Sequence, residues 1–204
     1  MRFKYAAAAS ALAMAAVVAT QAGAQAGAQP PQLAPLPGPA PAGICTFDMR
    51  GMLAASAAGH YLEERIKELK GVVAGELSAE GTALQSDRAA IEAQKATMPA
   101  DQLQSRATDW QNRAQALQQK QDLRNAELEQ TFNLGVSKIK IATGPLARQV
   151  AVERRCTLLL DAESLVLPTD GTDITSTVLT RLNATLTQFP LERVHLDQQT
   201  QGGQ

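Results

Sequence analysis

Apolar positions between Tyr61 and Glu153 recur with one dominant spacing. Leu77, Leu84, Ile91 and Met98 lie seven residues apart, and Leu103, Trp110 and Leu117 repeat the step beyond Thr97-Met98-Pro99-Ala100-Asp101, with Ala107 and Ala114 between them. A seven-residue apolar period is the seam of helices that wrap one another. The interruption fits a turn: Met98 precedes a proline and leaves the helical region, Pro99 cannot continue the ladder, and Asp101 is placed to cap the next helix. The pattern therefore predicts two long helices folded back on each other. At 1.5 Å per residue a limb from Val72 to Met98 runs roughly 40 Å, longer than a compact domain of this size can cover. The hairpin is expected to project as an arm over residues 61–149, serving either as a spacer or as a grasping element.

The flanking patterns are shorter. Ile44-Cys45-Thr46-Phe47-Asp48 reads as a strand, and Met49 to His60, rich in Ala, as a short helix leading into the arm. Leu128, Phe132, Val136, Ile139, Leu146 and Val150 keep helical spacing down to Glu153-Arg154-Arg155, with a kink expected at Pro145. Cys156 to Asp161 reads as a buried strand, and Leu165-Val166-Leu167 as its hairpin partner, ended by Pro168. Asp173 is expected to cap a last helix whose apolar face is Ile174, Val178, Leu182, Leu186 and Phe189, stopped by Pro190. Residues 43–60 and 150–190 then form the body, and 191–204 a flexible tail. The fold class is α+β: a small sheet-and-helix body carrying a long antiparallel coiled-coil arm. A body on the order of 50 residues is marginal on its own core. Self-association is the expected remedy, through Ile44, Phe47, Leu158, Leu160, Val178 and Leu182.

The amino terminus supplies an address. Met1-Arg2-Phe3-Lys4-Tyr5 is cationic, Ala6 to Val18 is uncharged and Ala-rich, and Ala22-Gly23-Ala24 offers a cleavage site, with Ala26-Gly27-Ala28 as a second choice. That layout predicts a secretory signal peptide over 1–24. The run is too short and Ala-rich for an anchor of about 20 apolar residues, and no later stretch resembles a span. Cys45 lies far downstream of the apolar run and follows Ile44, a poor context for lipid modification. Pro30, Pro31, Pro35, Pro37, Pro39 and Pro41 make 25–42 an extended leader.

Charge and composition then exclude several partners. Without Arg2 and Lys4 the chain has 17 basic and 20 acidic residues, a net −3, and the stretch 63–148 holds twelve of each sign. A polyanion-gripping protein shows a basic excess, and aromatic residues, at 3%, are too scarce for base stacking, so no nucleic-acid partner is expected. His60 and His195 are far apart without Cys or carboxylate spacing around them, so each is read as a surface residue, and no metal or cofactor is expected. Asp161 and Glu163 read as turn residues, and Glu63, Glu64 and Asp122 as a solvated helix face; no catalytic constellation is present, and an enzyme is not expected. Cys45 and Cys156 fall in two strands of the body. Either they bridge, closing a loop of about 110 residues, or they are buried free thiols acting as small apolar residues.

On these residues the chain resembles the Skp/OmpH family of periplasmic chaperones for outer-membrane proteins. The likeness rests on the signal peptide followed by Ile44-Cys45-Thr46-Phe47-Asp48-Met49, and on a helical hairpin of the family's length turning near Pro99. Its most specific part is Leu158-Leu159-Leu160-Asp161-Ala162, followed by Asp173-Ile174-Thr175 and Val178-Leu179. The resemblance implies a trimer in which three arms hang from a central body. Unfolded outer-membrane proteins would be held between them in the periplasm, without ATP, on their way to the insertion machinery. The family's best-known members are strongly basic and this chain is balanced, so no lipid site is carried over. Leu77, Leu84, Ile91, Met98, Leu103 and Trp110 are the candidate client contacts, with Met98 singled out for its soft, adaptable side chain. The alternative for the same residues is that they only zip the limbs together. The alternative for the chain is a structural or adaptor coiled coil of the cell envelope.

Overall fold

The computed structural model describes residues 37–167 and 171–196. The segment expected to be a signal peptide and most of the expected leader lie outside the described residues, as do Pro168 and residues 197–204 of the expected tail. The chain runs as strand β1 (Ile44–Phe47), helix α1 (Met49–Ala55), helix α2 (Ala57–Gln94), helix α3 (Ala100–Glu153), strand β2 (Leu158–Asp161), a 3-10 turn (Ala162–Ser164) and helix α4 (Thr175–Thr185).

The two strands pair in parallel, Ile44 opposite Leu158 and Phe47 opposite Asp161. Parallel neighbours need a long crossover, and here the whole of α1, α2 and α3 supplies it. This corrects the hairpin expected at Leu165-Val166-Leu167. Asp161 accepts from the Glu163 amide and starts a 3-10 turn instead of a reversal, and Val166 stands exposed. The free edge of β1 is met by the segment before α4: the Thr46 amide donates to the Thr172 carbonyl at 2.9 Å and the Ile174 amide to the Thr46 carbonyl at 3.0 Å.

Local chemistry sets the ends of the helices. Asp48 accepts from the Gly51 amide at 2.7 Å and caps α1. The helix read as continuous from Met49 breaks at Ser56, whose hydroxyl donates to the Leu53 carbonyl and accepts from the Gly59 amide, closing α1 and opening α2. At the far end Pro99, extended at ψ 143°, takes the cap position of α3, and Asp101 contributes its charge in the first turn without a capping bond. Pro145 does not interrupt α3, and it sits on an exposed face where water can meet the carbonyl it frees. The carboxyl end of α3 is a Schellman motif: Arg155 takes a left-handed φ of 58°, its amide donates to Val152, and the Cys156 amide donates to Ala151. That turn delivers Cys156 beside β1, where it is bridged to Cys45 with Cα atoms 5.7 Å apart. Of the two states the sequence left open for the cysteines, the structure shows the bridge.

The core joins Cys45, Phe47 and Met52 to Leu62, Ile66, Leu69 and Val73 of α2, to Leu128, Ile139 and Val150 of α3, and to Ile174, Val178 and Leu182 around α4. Three residues expected between copies are thus internal. Val178 and Leu182 are 0% exposed and Phe47 is buried, so they have little or no surface to offer a second chain. Leu158, by contrast, is exposed, and Ile44 and Leu160 are half-buried. Helix α4 also stops at Thr185, four residues before Phe189; Leu186 has an extended backbone, and the residues from there to Leu196 are neither helix nor strand.

Candidate functional site

Helices α2 and α3 lie antiparallel, as their cross-links show: Gln94 to Arg106, Asp87 to Arg113, Glu80 to Lys120 and Glu76 to Arg124. Near the body their seam includes residues a hydrophobic count misses. Glu127, Thr131, Gly135, Ile139, Thr143 and Ala147 are all buried at four-residue spacing. The Thr131 and Thr143 hydroxyls donate to the carbonyls four residues back, so neither is left unsatisfied inside. A Cβ on Gly135 would come within 2.4 Å of Leu62 Cδ1, so the glycine sets how closely the helices approach. With the seam on that face, Phe132, read from spacing as a core position, is 39% exposed instead.

Between Glu76 and Arg124 at one end and Pro99 at the other, the seam thins. Of the six candidate client contacts, Leu84 is buried, while Leu77, Ile91, Met98, Leu103 and Trp110 are half-buried. Trp110 Nε1 donates to the Leu84 carbonyl at 2.8 Å, tying the two helices at mid-length. Ile91 and Trp110 share a shallow groove of about 410 Å³ with Asp87, Arg106, Asp109 and Arg113. Met98 at the turn falls in the same half-buried class as Leu77, Ile91, Leu103 and Trp110. These side chains line the seam, and all but Leu84 keep part of their surface in water. The cross-helix ion pairs are exposed and contribute about 0–1 kcal/mol each, so they hold this region only lightly.

Gly71, Gly75 and Gly81 weaken α2 further, because a Cβ at any of them would meet nothing within 4 Å. Each Gly→Ala replacement is expected to stabilise by about 0.5–1 kcal/mol through helix propensity alone. The triple variant should therefore show a higher urea midpoint than the parent. Unchanged stability would mean these glycines relieve a strain that the fold does not show.

Other apolar groups are exposed without any signal in the heptads. Leu134, Ile141 and Val152 are 44%, 72% and 69% exposed, and their spacing returns them to one face of α3. Leu158 and Leu159 are exposed on β2, and Val72 on α2. Phe132, Ile66 and Leu128 floor a groove of about 570 Å³ between α2 and α3, edged by Glu63, Lys67, Lys70 and Glu129.

The opposite groove of the same helix pair is filled by the chain itself. Residues 191–196, expected to be a frayed tail, lie along it. Phe189 stands edge-on to Tyr61 at 5.4 Å, and Leu191 is buried. Arg193 reaches Glu76 at 2.9 Å and lies 3.5 Å from Glu127, which is fully buried. Glu127 also takes Arg124 at 2.9 Å and lies 4.0 Å from His195 Nδ1. The hydrogen bond from Arg193 holds the Glu76 carboxyl below its ordinary value of 4.5. A buried carboxylate needs such partners, and Glu127 is the reason this segment is not free. The sequence signal was an acid at a seam position with arginines nearby, but nothing local ties Glu127 to a residue sixty-six positions on, at Arg193. At the other end Arg181 of α4 grips Glu153 of α3, lowering the Glu153 carboxyl and raising the guanidinium.

Among the described residues no helix is long and apolar enough to cross a membrane, and no group of three or more His, Cys, Asp or Glu could hold a metal ion. The family model described as outer membrane protein (OmpH-like) matches residues 43–182. The crystal structure of an OmpH-like protein from Caulobacter crescentus CB15, named as an outer-membrane chaperone, superposes with a TM-score of 0.71 at 33% sequence identity, over 79% of this chain and 95% of that one. No curated protein matches the chain significantly. With the family model spanning more than half of its length, and a fold of small sheet and long paired helices shared with that structure, the chain belongs to the OmpH-like family of outer membrane proteins.

Proposed function

We propose that this chain is an ATP-independent holdase of the periplasm. In this reading three copies join through their bodies, the α2–α3 pairs project as arms, and unfolded outer-membrane β-barrel proteins are held between them before passing to the insertion machinery. The observation that carries it is the thin seam. Among the described residues from 74 to 126, Leu84 is the one buried hydrophobic residue, while Leu77, Ile91, Met98, Leu103 and Trp110 stay half-open. Such diluted, non-directional apolar contacts shield a client and still let it leave. The Cys45–Cys156 bridge supports residence in an oxidising, exported compartment. Leu158, Leu159, Leu134, Ile141 and Val152 supply an exposed apolar surface near the body, which supports self-association.

The test is dilution of a urea-denatured β-barrel outer-membrane protein into buffer with the mature protein and no nucleotide. Light scattering should be suppressed at roughly one oligomer per client. A variant with residues 78–122 replaced by a short Gly-Ser turn keeps Glu76, Arg124 and Glu127. It should keep the oligomer and lose protection. Equal protection by the shortened chain would remove the helix pair from the mechanism, and no protection by the intact chain would leave the envelope-adaptor reading.

A further inference from the structure

The segment from Phe189 to Leu196 is held in an unusual way. Arg65 Nε donates to the Leu191 carbonyl at 3.0 Å, and Lys138 Nζ to the Pro190 carbonyl at 2.7 Å. Thr131 Oγ1 accepts from the Val194 amide at 2.9 Å, and Glu127 Oε1 from the Leu196 amide at 3.1 Å. All four bonds join helix side chains to backbone groups of the segment, so none of them reads the sequence of what lies there. From Lys138 to Glu127 the helix advances about 16 Å while the segment goes from Pro190 to Leu196, a drawn-out course. Only two apolar side chains are buried, Phe189 and Leu191, and they are two residues apart. In an extended chain that spacing places both on one face. The groove thus fits a segment with apolar groups at two alternate positions and a cation at the next, which meets Glu76 and Glu127, and apolar alternation of that kind marks a membrane β-strand.

We propose that this groove between α2 and α3 is a docking site for an extended polypeptide with apolar side chains at alternate residues, and that the chain's own Phe189–Leu196 occupies it in cis. The client in this inference is the one named under Proposed function, so its identity rests on that reading; the docking itself does not. Exchange is physically open. If the segment leaves, Glu127 and Glu76 lose Arg193 and the cover of the segment in one step, and Glu127 keeps Arg124 at 2.9 Å. If Arg193 alone is lost while the segment stays, Glu127 remains buried with one partner fewer, which favours release. The segment is therefore an occluding strap, set by Arg193.

The experiment uses oxidised, otherwise intact protein and a fluorescein-labelled peptide of Thr187–Leu196, followed by anisotropy. A chain ending at Leu186 should bind the peptide at least tenfold more tightly than the parent. A Thr131→Cys/Val194→Cys variant, with the strap locked by a second bridge, should bind it no better than the parent. A peptide with Ser in place of Phe189 and Leu191 should not bind. If the shortened chain does not fold, full-length Arg193→Ala carries the test and should bind the peptide more tightly than the parent. Failure of a folded open variant to bind, or equal binding of the Ser peptide, overturns the proposal. A denatured β-barrel protein should displace the peptide. If the barrel is held without displacing it, the groove is not the client site, while the holdase reading stands. If the peptide binds as expected but no variant holds a barrel, the groove stands and the holdase reading falls.

Discussion

Replacing Cys45 and Cys156 by Ser is expected to lower the stability of the chain by about 4–5 kcal/mol. The bridge joins positions 111 apart in sequence, and the entropy an unfolded chain loses to a closed loop grows with its length. What it reinforces is a sheet of two four-residue strands, too small to stand unaided. The same bond fixes the start of β1 against the end of α3, where the Gly43 carbonyl accepts from the amides of Thr157 and Leu158. In a thermal melt at this chain length, the loss corresponds to a drop of about 10–15 °C. Dithiothreitol should reproduce the drop in the parent and leave the Ser variant unmoved. A parent melt indifferent to reductant would mean the strands are held by packing alone.

A second large effect is expected at Leu182, which lies inside the core of one chain. Its side chain is fully buried with Val178, Ile174 and Met52. Leu182→Ala should cost about 2–5 kcal/mol through lost burial and the cavity left behind, whatever the protein concentration. Leu158→Asp makes the opposite case. Leu158 is 49% exposed on β2, so the charge can stay hydrated in one chain and becomes costly only where a second copy covers it. The expected result is a helical content close to the parent with a smaller mass by light scattering. If Leu182→Ala instead changes the mass while one-chain stability holds, the internal core has been drawn around the wrong residues.

These two residues also show where a linear pattern is enough and where it fails. The helix pair was legible because seven-residue periodicity and a proline turn are local signals, and Leu77, Leu84, Ile91 and Trp110 do meet along the seam. Near the body the seam passes instead through Thr131, Gly135 and Thr143, small or polar residues that a hydrophobic count discards and that four-residue backbone chemistry makes acceptable. That shift turned Phe132 outward. Strand partners were harder still, because pairing β1 with β2 depends on positions more than a hundred residues apart, and Leu165-Val166-Leu167 offered a nearer choice that the Asp161 turn forecloses. The tail from Leu191 looked unpatterned because its anchors are backbone groups, which any sequence carries, together with one arginine reaching a distant buried acid.

The parallel pairing also has a consequence for how the molecule is made. A chain made from its amino end presents β1 long before β2 emerges, so the first strand must wait without that neighbour. Helices α2 and α3 can zip from their turn as soon as both have emerged, since their contacts near Pro99 are close in sequence. Zipping draws Cys156 back towards Cys45 and shortens the gap that the strands would otherwise close by chance. The long crossover therefore acts as its own tether, bringing the two ends of the domain together in time for oxidation to seal them.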